Sequence, residues 1–367
     1  MLEKQLDSHP KAAMHPIDPM SPFGHFGSSY DATNIVREDN FQPTFRQNDL
    51  TEPEHLEEYG RFQQHLGLIE DQERLKAFLG AITDAPIGEV VVDVGSGTGL
   101  LALVALKCGF GHAVLIEPSR KMCAYARHLA QINGVLDRVT IVERTLETVP
   151  ENVLPSQIDL IVTETLSSLI FGFGSWDALP NLISRLSHQG TIIPVSGKLH
   201  AALATKDYAT RGSGKAGLGL LQRAGIQIDL FERTFRSGGN VYDKSTVQSD
   251  LESGLLRPSL IASFDFRKSI PIRLEMTDLA APVEACGGLV LYWDVALSVN
   301  GSRTRISSLD PGLTSWYPFY VPFRDPIFVR SREGLPIKME LHKIDAPYPY
   351  AFQFVSNGIE LTNVLYW

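Results

Sequence analysis

Three glycines at every second position, Gly95, Gly97 and Gly99, follow an acidic residue, Asp93, in the run VVVDVGSGTGLLAL. Glycine reaches backbone angles closed to other residues and lets a ligand lie against the chain. A turn of this kind between an apolar strand and an apolar helix is suited to a nucleotide-like molecule. The dinucleotide fingerprint is G-x-G-x-x-G, whereas this turn reads G-x-G-x-G and has Leu100 where the last glycine belongs. Asp93 would repel a pyrophosphate; a phosphate-free cofactor with a cationic end fits better beside it. Glu117 closes the next apolar run, where a carboxylate can accept from both ribose hydroxyls. Glu147 follows the third run and can accept from an adenine amino group. Together these residues describe a nucleoside site and favour S-adenosylmethionine over NAD.

The elements that must carry these residues are legible in the hydrophobic pattern. From Glu54, EHLEEYGRFQQHLGLIEDQERLKAFLGAI has helical spacing. EVVVDVG reads as a buried strand, and LLALVALKCG as a helix stopped by Gly109. HAVLIEPS reads as a second strand, and RKMCAYARHLAQING as a helix closed at Asn133-Gly134. VTIVERTLE and IDLIVTET read as the third and fourth strands. Strands alternating with helices predict a parallel, doubly wound Rossmann-like α/β domain over residues 53–194. Beyond Pro194 the runs are short and β-like (KLHAALAT, ASFDF, GGLVLYWDVALSV, IKMELHKI), predicting a β-barrel-like domain over 195–367. Residues 1–52 are rich in Pro, His, Asp, Asn and Gly and read as an irregular arm.

Composition narrows the function classes. The chain of 367 residues is 44% hydrophobic with net charge −9, which argues against a nucleic-acid partner, since phosphate binding needs a basic face. Cys108, Cys123 and Cys286 show neither metal-ligand nor disulfide spacing, and His9, His15 and His25 lack partners, so no metal is expected. No apolar run reaches the roughly 18 residues that span a bilayer, and the N-terminus lacks an apolar signal core. The expectation is a cytoplasmic protein with no membrane partner.

With these motifs in hand, the chain from about His55 onward resembles the protein arginine methyltransferases. YGRFQQHLGLIEDQER is similar to the family segment in which a Tyr and a Phe precede Asp-x-x-Arg, here Tyr59, Phe62, Asp71 and Arg74. The resemblance implies that Arg74 binds the methionine carboxylate of the cofactor and that Tyr59 and Phe62 belong to the cofactor site. VVDVGSGTG matches the family's cofactor loop, IDLIVTETLSSLIF its fourth strand, and Glu164 the first of two catalytic glutamates. LDPGLTSWYPFYV is similar to its Thr-His-Trp loop, which places Trp316 beside the acceptor. Residues from about 211 to 257 stand where the family inserts a dimerisation arm, implying a homodimer.

Two positions depart from the family pattern. Phe173 and Gly174 occupy the place of the second glutamate, with Asp177 beyond, and Ser315 stands where the family has His. A guanidinium is always protonated near neutrality and is a poor nucleophile. Two carboxylates can pair with it, localise its charge and orient one nitrogen, so Asp177 is the candidate for completing the clamp with Glu164. Ser315 can donate and accept a hydrogen bond but cannot buffer a proton as His can. The expected acceptor is arginine in a protein or peptide, or a small guanidino compound. A different small acceptor on the same architecture, and a non-catalytic member, are the alternatives.

Overall fold

The computed structural model describes residues 62–167, 170, 178–206, 208, 224, 239–241, 243–268, 273–279, 285–298, 304–328, 335–343, 350–362 and 365–366. The arm over 1–52, Tyr59, Asp177 and most of 211–238 lie outside them.

Helices α1 (Phe62–Glu70) and α2 (Gln72–Thr83) precede the sheet. The sequence reads as one helical stretch here, but Asp71 interrupts it. Its side chain accepts the Arg74 N–H at 3.0 Å as the N-cap of α2, and an Asp that caps one helix ends the one before. Strands β1 (Val90–Val94), β2 (His112–Ile116), β3 (Val139–Val142), β4 (Ile158–Thr163) and β5 (Leu186–Ile193) then form a parallel sheet in the order β3-β2-β1-β4-β5. β1 to β3 step outward in one direction and β4 returns to the other side of β1, so the switch point lies between β1 and β4. Open parallel sheets bind ligands outside the carboxyl ends of their strands at this point.

Helix α3 (Leu100–Cys108) is apolar up to its last turn, where Lys107 is exposed, and it puts Leu101, Ala102, Leu103, Ala105 and Leu106 in the core. α4 (Arg120–Ile132) is amphipathic and buries Met122, Cys123, Ala126 and Ala130, with Ser119 as its N-cap. A short helix α5 (Leu179–Ile183) leads into β5, a strand that the hydrophobic pattern does not predict. Its first half, LSHQG, is polar and half-exposed at the sheet edge, so it lacks the apolar run that marked the other four.

The second half is antiparallel. Strands β6 (Ser196–Ala204), β7 (Gly239–Asn240), β8 (Ser259–Asp265), β10 (Ala285–Ala296), β11 (Arg305–Ser307) and β12 (Phe319–Phe328) make one sheet, ordered β7-β12-β10-β6-β8 with β11 paired to β10. Strands β9 (Arg273–Leu279), β13 (Leu335–Lys343), β14 (Tyr350–Ser356), β15 (Ile359–Glu360) and β16 (Leu365–Tyr366) make the other. Helix α6 (Lys244–Glu252) falls near the end of the stretch at 211–257. It packs Val247 into a cluster with Ala202, Ala204, Val290 and Tyr320 on one face of the first sheet. The other face carries Leu199, Leu289, Leu291 and Trp293 into the main core, which is continuous with that of the parallel domain.

Candidate active site

The glycine turn, the ends of β2 and β4 and the start of α2 converge at the switch point. Gly95, Gly97 and Gly99 all have positive φ (66°, 53° and 76°). A Cβ on Gly99 would lie 2.6 Å from Leu115 Cδ2, so a side chain there would push the turn off β2. The space over Gly97 is taken by His65 of α1, whose Cε1 would stand 3.1 Å from an added Cβ. His65 is buried and is a site residue that sequence reasoning missed. It falls three residues after Phe62, one turn along a helix already singled out, and that spacing was the available signal.

Glu117 stands one residue beyond β2 and is 3% exposed. Its Oε2 accepts the Gly97 N–H at 2.8 Å and its Oε1 the Ser119 N–H at 2.8 Å, so the carboxylate ties the glycine turn to the cap of α4. Burial raises its pKa, against the pull of those two amides. A carboxylate offers about four lone-pair sites, so both oxygens retain acceptor capacity for hydroxyl donors. Cys123 donates its thiol to the Glu117 carbonyl at 3.2 Å; burial and the nearby carboxylates push that thiol up to about 12, which makes it an inert packing residue.

Asp93 lies beneath the turn, 2% exposed, with Oδ2 accepting the Ala102 N–H at 3.3 Å. Burial is the main cause of its rise to about 7; the Ala102 amide and Arg74 oppose the rise and Glu117 adds to it. The folded protein therefore binds this proton more tightly than the unfolded chain does. Between the ordinary aspartate value of 3.8 and about 7, Asp93 makes stability fall as pH rises, and above about 7 its contribution is flat. Asp93→Asn is expected to remove this fall, so melting temperatures of wild type and variant measured from pH 5 to 8 should diverge as pH rises. Parallel curves would place the titration elsewhere.

Arg74 and Glu164 meet across the domain. Glu164 follows β4 by one residue, and its Oε1 and Oε2 face Arg74 Nε and Nη2 in a two-pronged pair. Both side chains are largely buried, 7% and 14% exposed. Arg74 Nη1 also donates to the Leu68 carbonyl at 2.6 Å, and its Cζ lies 5.9 Å from the Phe78 ring centroid. The arginine expected to face the cofactor carboxylate thus already carries a carboxylate partner.

Asp71 and Trp316 join the two halves of the molecule. Asp71 Oδ2 accepts the N–H groups of Thr314 and Ser315, each at 2.8 Å, and the Ser315 hydroxyl at 2.7 Å. Burial works to raise this carboxyl, yet the donors from Arg74, Ser315 and Thr314 outweigh it and hold the pKa low. Trp316 is 7% exposed and donates its indole N–H to the Leu166 carbonyl at 3.0 Å. Trp293 packs edge-on against it at 5.5 Å and donates to the next carbonyl, Ser167, at 3.0 Å. Two indoles therefore hold the segment that follows Glu164. Glu147 stands apart from this assembly, exposed on a single 3₁₀ turn (Leu146–Thr148). The third strand, expected to run through VTIVERTLE, stops at Val142 because Arg144 N–H turns back to the Val142 carbonyl.

The residues present suit a cofactor of the S-adenosylmethionine type. Within the glycine turn the Ser96 hydroxyl is buried with no hydrogen-bond partner, and a buried polar atom left unsatisfied is what a bound polar group would relieve. Glu117 stands beside it for hydroxyls, and the Arg74–Glu164 pair presents a guanidinium and a carboxylate at the same end of the sheet. Among the described residues no cluster of His, Cys, Asp and Glu is arranged to hold a metal.

Comparison with known proteins agrees with this geometry. Residues 91–190 match the family model described as a methyltransferase domain. The histone-arginine methyltransferase CARMER of Drosophila grimshawi is 23% identical over 302 residues, covering 79% of this chain and 54% of the relative. The CARMER protein of Drosophila erecta is 22% identical over 314 residues, covering 79% and 56%. The chain thus spans about half the length of the curated relatives it matches. Among solved structures, Arabidopsis thaliana protein arginine methyltransferase 10 superposes with a TM-score of 0.61 at 17% identity, covering 85% of this chain and 99% of that one. The Trypanosoma brucei PRMT1 enzyme–prozyme heterotetrameric complex with AdoHcy superposes with a TM-score of 0.63 at 16% identity, covering 84% and 99%. Residues 91–190 thus have the fold of a methyltransferase domain, a class whose cofactor is S-adenosylmethionine. Those solved arginine methyltransferases share the layout seen here, a Rossmann-like core followed by antiparallel sheets.

Proposed function

We propose that this protein transfers a methyl group to a guanidino nitrogen of arginine in a protein or peptide. The observation that carries the reading is the two-pronged pair at the switch point, where Glu164 already holds a guanidinium by both oxygens. A carboxylate set in that fork geometry is complementary to an arginine acceptor. Bound S-adenosylmethionine supplies an activated methyl group on a sulfonium, so the chain's own task is alignment. In this reading Glu117 receives the ribose hydroxyls and Arg74 the methionine carboxylate. Gly95, Gly97 and Gly99 give the turn its positive-φ backbone, and Asp93, its pKa raised to about 7 by burial, offers a partial negative charge beneath the turn. Tyr59 and Phe62 are assigned to the cofactor site by the family resemblance, and Glu147 is the candidate acceptor for the adenine amino group. Glu164 orients the acceptor and draws its positive charge away from the attacking nitrogen, with Asp177 as the second carboxylate. Trp316 sets the acceptor wall through its hold on the segment after Glu164.

The departures in the sequence favour a second reading. Phe173, Gly174 and Ser315 replace an acid and a base expected around a guanidinium, which suits a small acceptor of another kind on the same site. The protein is further proposed to work as a homodimer in the cytoplasm, without nucleic-acid or membrane partners. Its net charge is −9, and no described helix is long and apolar enough to cross a membrane.

Incubation with methyl-labelled cofactor, an arginine-containing histone peptide, free arginine and a panel of other small acceptors separates the readings. Label on a guanidino nitrogen of the peptide, located by mass spectrometry, is the expected result. Label only on a non-guanidino acceptor would replace the first reading with the second, and label on nothing would leave a cofactor-binding protein.

A further inference from the structure

The peptide group between Leu313 and Thr314 is bonded at both ends by charged side chains. Its carbonyl accepts from the Lys244 ammonium, and its N–H donates to Asp71 Oδ2 at 2.8 Å. Lys244 is the first residue of α6 and is 6% exposed. Its Nζ also donates to the Asp310 carbonyl at 2.8 Å and lies 4.9 Å from the Tyr317 ring centroid. Beside it on α6, Gln248 Nε2 donates to the Leu309 carbonyl at 3.0 Å, and the Val241 N–H donates to the Pro318 carbonyl at 2.7 Å. The loop is thus gripped on its carbonyl side by a cation from α6 and on its amide side by an anion from the cap of α2. Hydrogen bonds at the two ends of one peptide polarise each other and strengthen together.

Burying an ammonium carries a desolvation penalty that is offset only when the charge is well hydrogen-bonded and compensated. Here the donors go to two loop carbonyls, and Asp310 and Asp71 are the carboxylates whose fields favour the charge. The loop so held is the one that presents Ser315 to Asp71 and Trp316 to the Leu166 carbonyl, next to Glu164. Ser315 cannot carry a charge, so the positive end of this polar chain is supplied by Lys244 through the peptide. We propose that Lys244 is a positioning residue for the acceptor side. Together with Asp71 it orients the Thr314–Ser315–Trp316 turn against the segment that follows Glu164. The kinetic part of this inference rests on the methyltransferase reading above; the structural part does not.

The test is amide hydrogen exchange on the full chain, with kinetics alongside. Lys244→Met is expected to speed exchange in a peptide spanning 309–317 by about tenfold or more while α2 and α3 keep their protection. With saturating S-adenosylmethionine and an arginine-containing histone peptide, its KM for the peptide should rise roughly fivefold or more. Its Kd for S-adenosylhomocysteine by calorimetry should stay within about twofold. Lys244→Arg, which keeps charge and donors, should recover a measurable part of both effects. Should Lys244→Met not fold, Lys244→Gln, a neutral donor, takes its place and should show the same local loss in weaker form. Unchanged protection at 309–317, protection lost evenly along the chain, or an Arg variant no better than the Met variant overturns the proposal. If the peptide is not methylated by wild type, the function reading fails and the exchange pattern alone still decides the role of Lys244.

Discussion

Glu164→Gln is expected to lower kcat by roughly 10²–10³-fold, the scale of removing one preorganised charge from a reacting centre. Gln keeps the shape and one carbonyl acceptor but loses the charge that draws a cationic acceptor and localises its electrons. Cofactor affinity should hold or tighten. In the wild type, Glu164 neutralises Arg74 through both oxygens; without that anion the guanidinium attracts a cofactor carboxylate more strongly. Measuring kcat and the calorimetric Kd for S-adenosylhomocysteine on the same preparation separates the two effects. A fall in kcat matched by an equal fall in affinity would make Glu164 a support for Arg74 and not a partner of the acceptor. Asp177→Asn belongs in the same series. A comparable loss would mark a two-carboxylate clamp, and full activity would point to a non-guanidino acceptor.

Arg74→Ala carries the second large effect, and it acts in two ways. Truncation leaves Glu164, 14% exposed, as a buried carboxylate without its cation, and breaking such a pair costs about 3–5 kcal/mol. It also removes a charge-assisted partner for the cofactor carboxylate, about 1.5–3 kcal/mol of binding, or roughly 10–150-fold in Kd. Melting temperature and cofactor Kd should therefore both worsen. Combining Arg74→Met with Glu164→Gln removes the uncompensated charge while retaining an apolar stem over Phe78. That pair should regain most of the lost melting temperature and none of the lost affinity. Affinity restored together with stability would reduce Arg74 to a scaffold residue.

Much of the cofactor side was legible along the chain because its parts are local. The glycine turn, the acid beneath it and the acid closing the next strand lie within 25 residues of one another. Each is marked by a change from strand to turn or turn to helix, which hydrophobic periodicity reveals. β5 escaped that reading because an edge strand with a polar half has no apolar run to announce it. At Glu147 the strand boundary, and not the strand itself, escaped the pattern. The glutamate's position after an apolar run was readable, but the strand ends early at Val142, and the residue emerges exposed on a 3₁₀ turn.

By itself the sequence determined a doubly wound parallel domain with a nucleoside-type turn, an antiparallel domain after it, and the set of charged residues available between them. Which of those charges meet was decided only by the tertiary structure. Arg74 and Glu164 are 90 positions apart, and Asp71 and Ser315 are 244. Asp71 reads in the sequence as one letter of Asp-x-x-Arg, yet it caps α2, holds the Thr314–Ser315 turn and faces Lys244 across a single peptide. Periodicity reports which face of an element is apolar, and so fixes what each strand and helix buries. It carries no information on pairing between charges on different elements. That pairing follows from how the sheet orders its strands and how the second domain docks against their carboxyl ends.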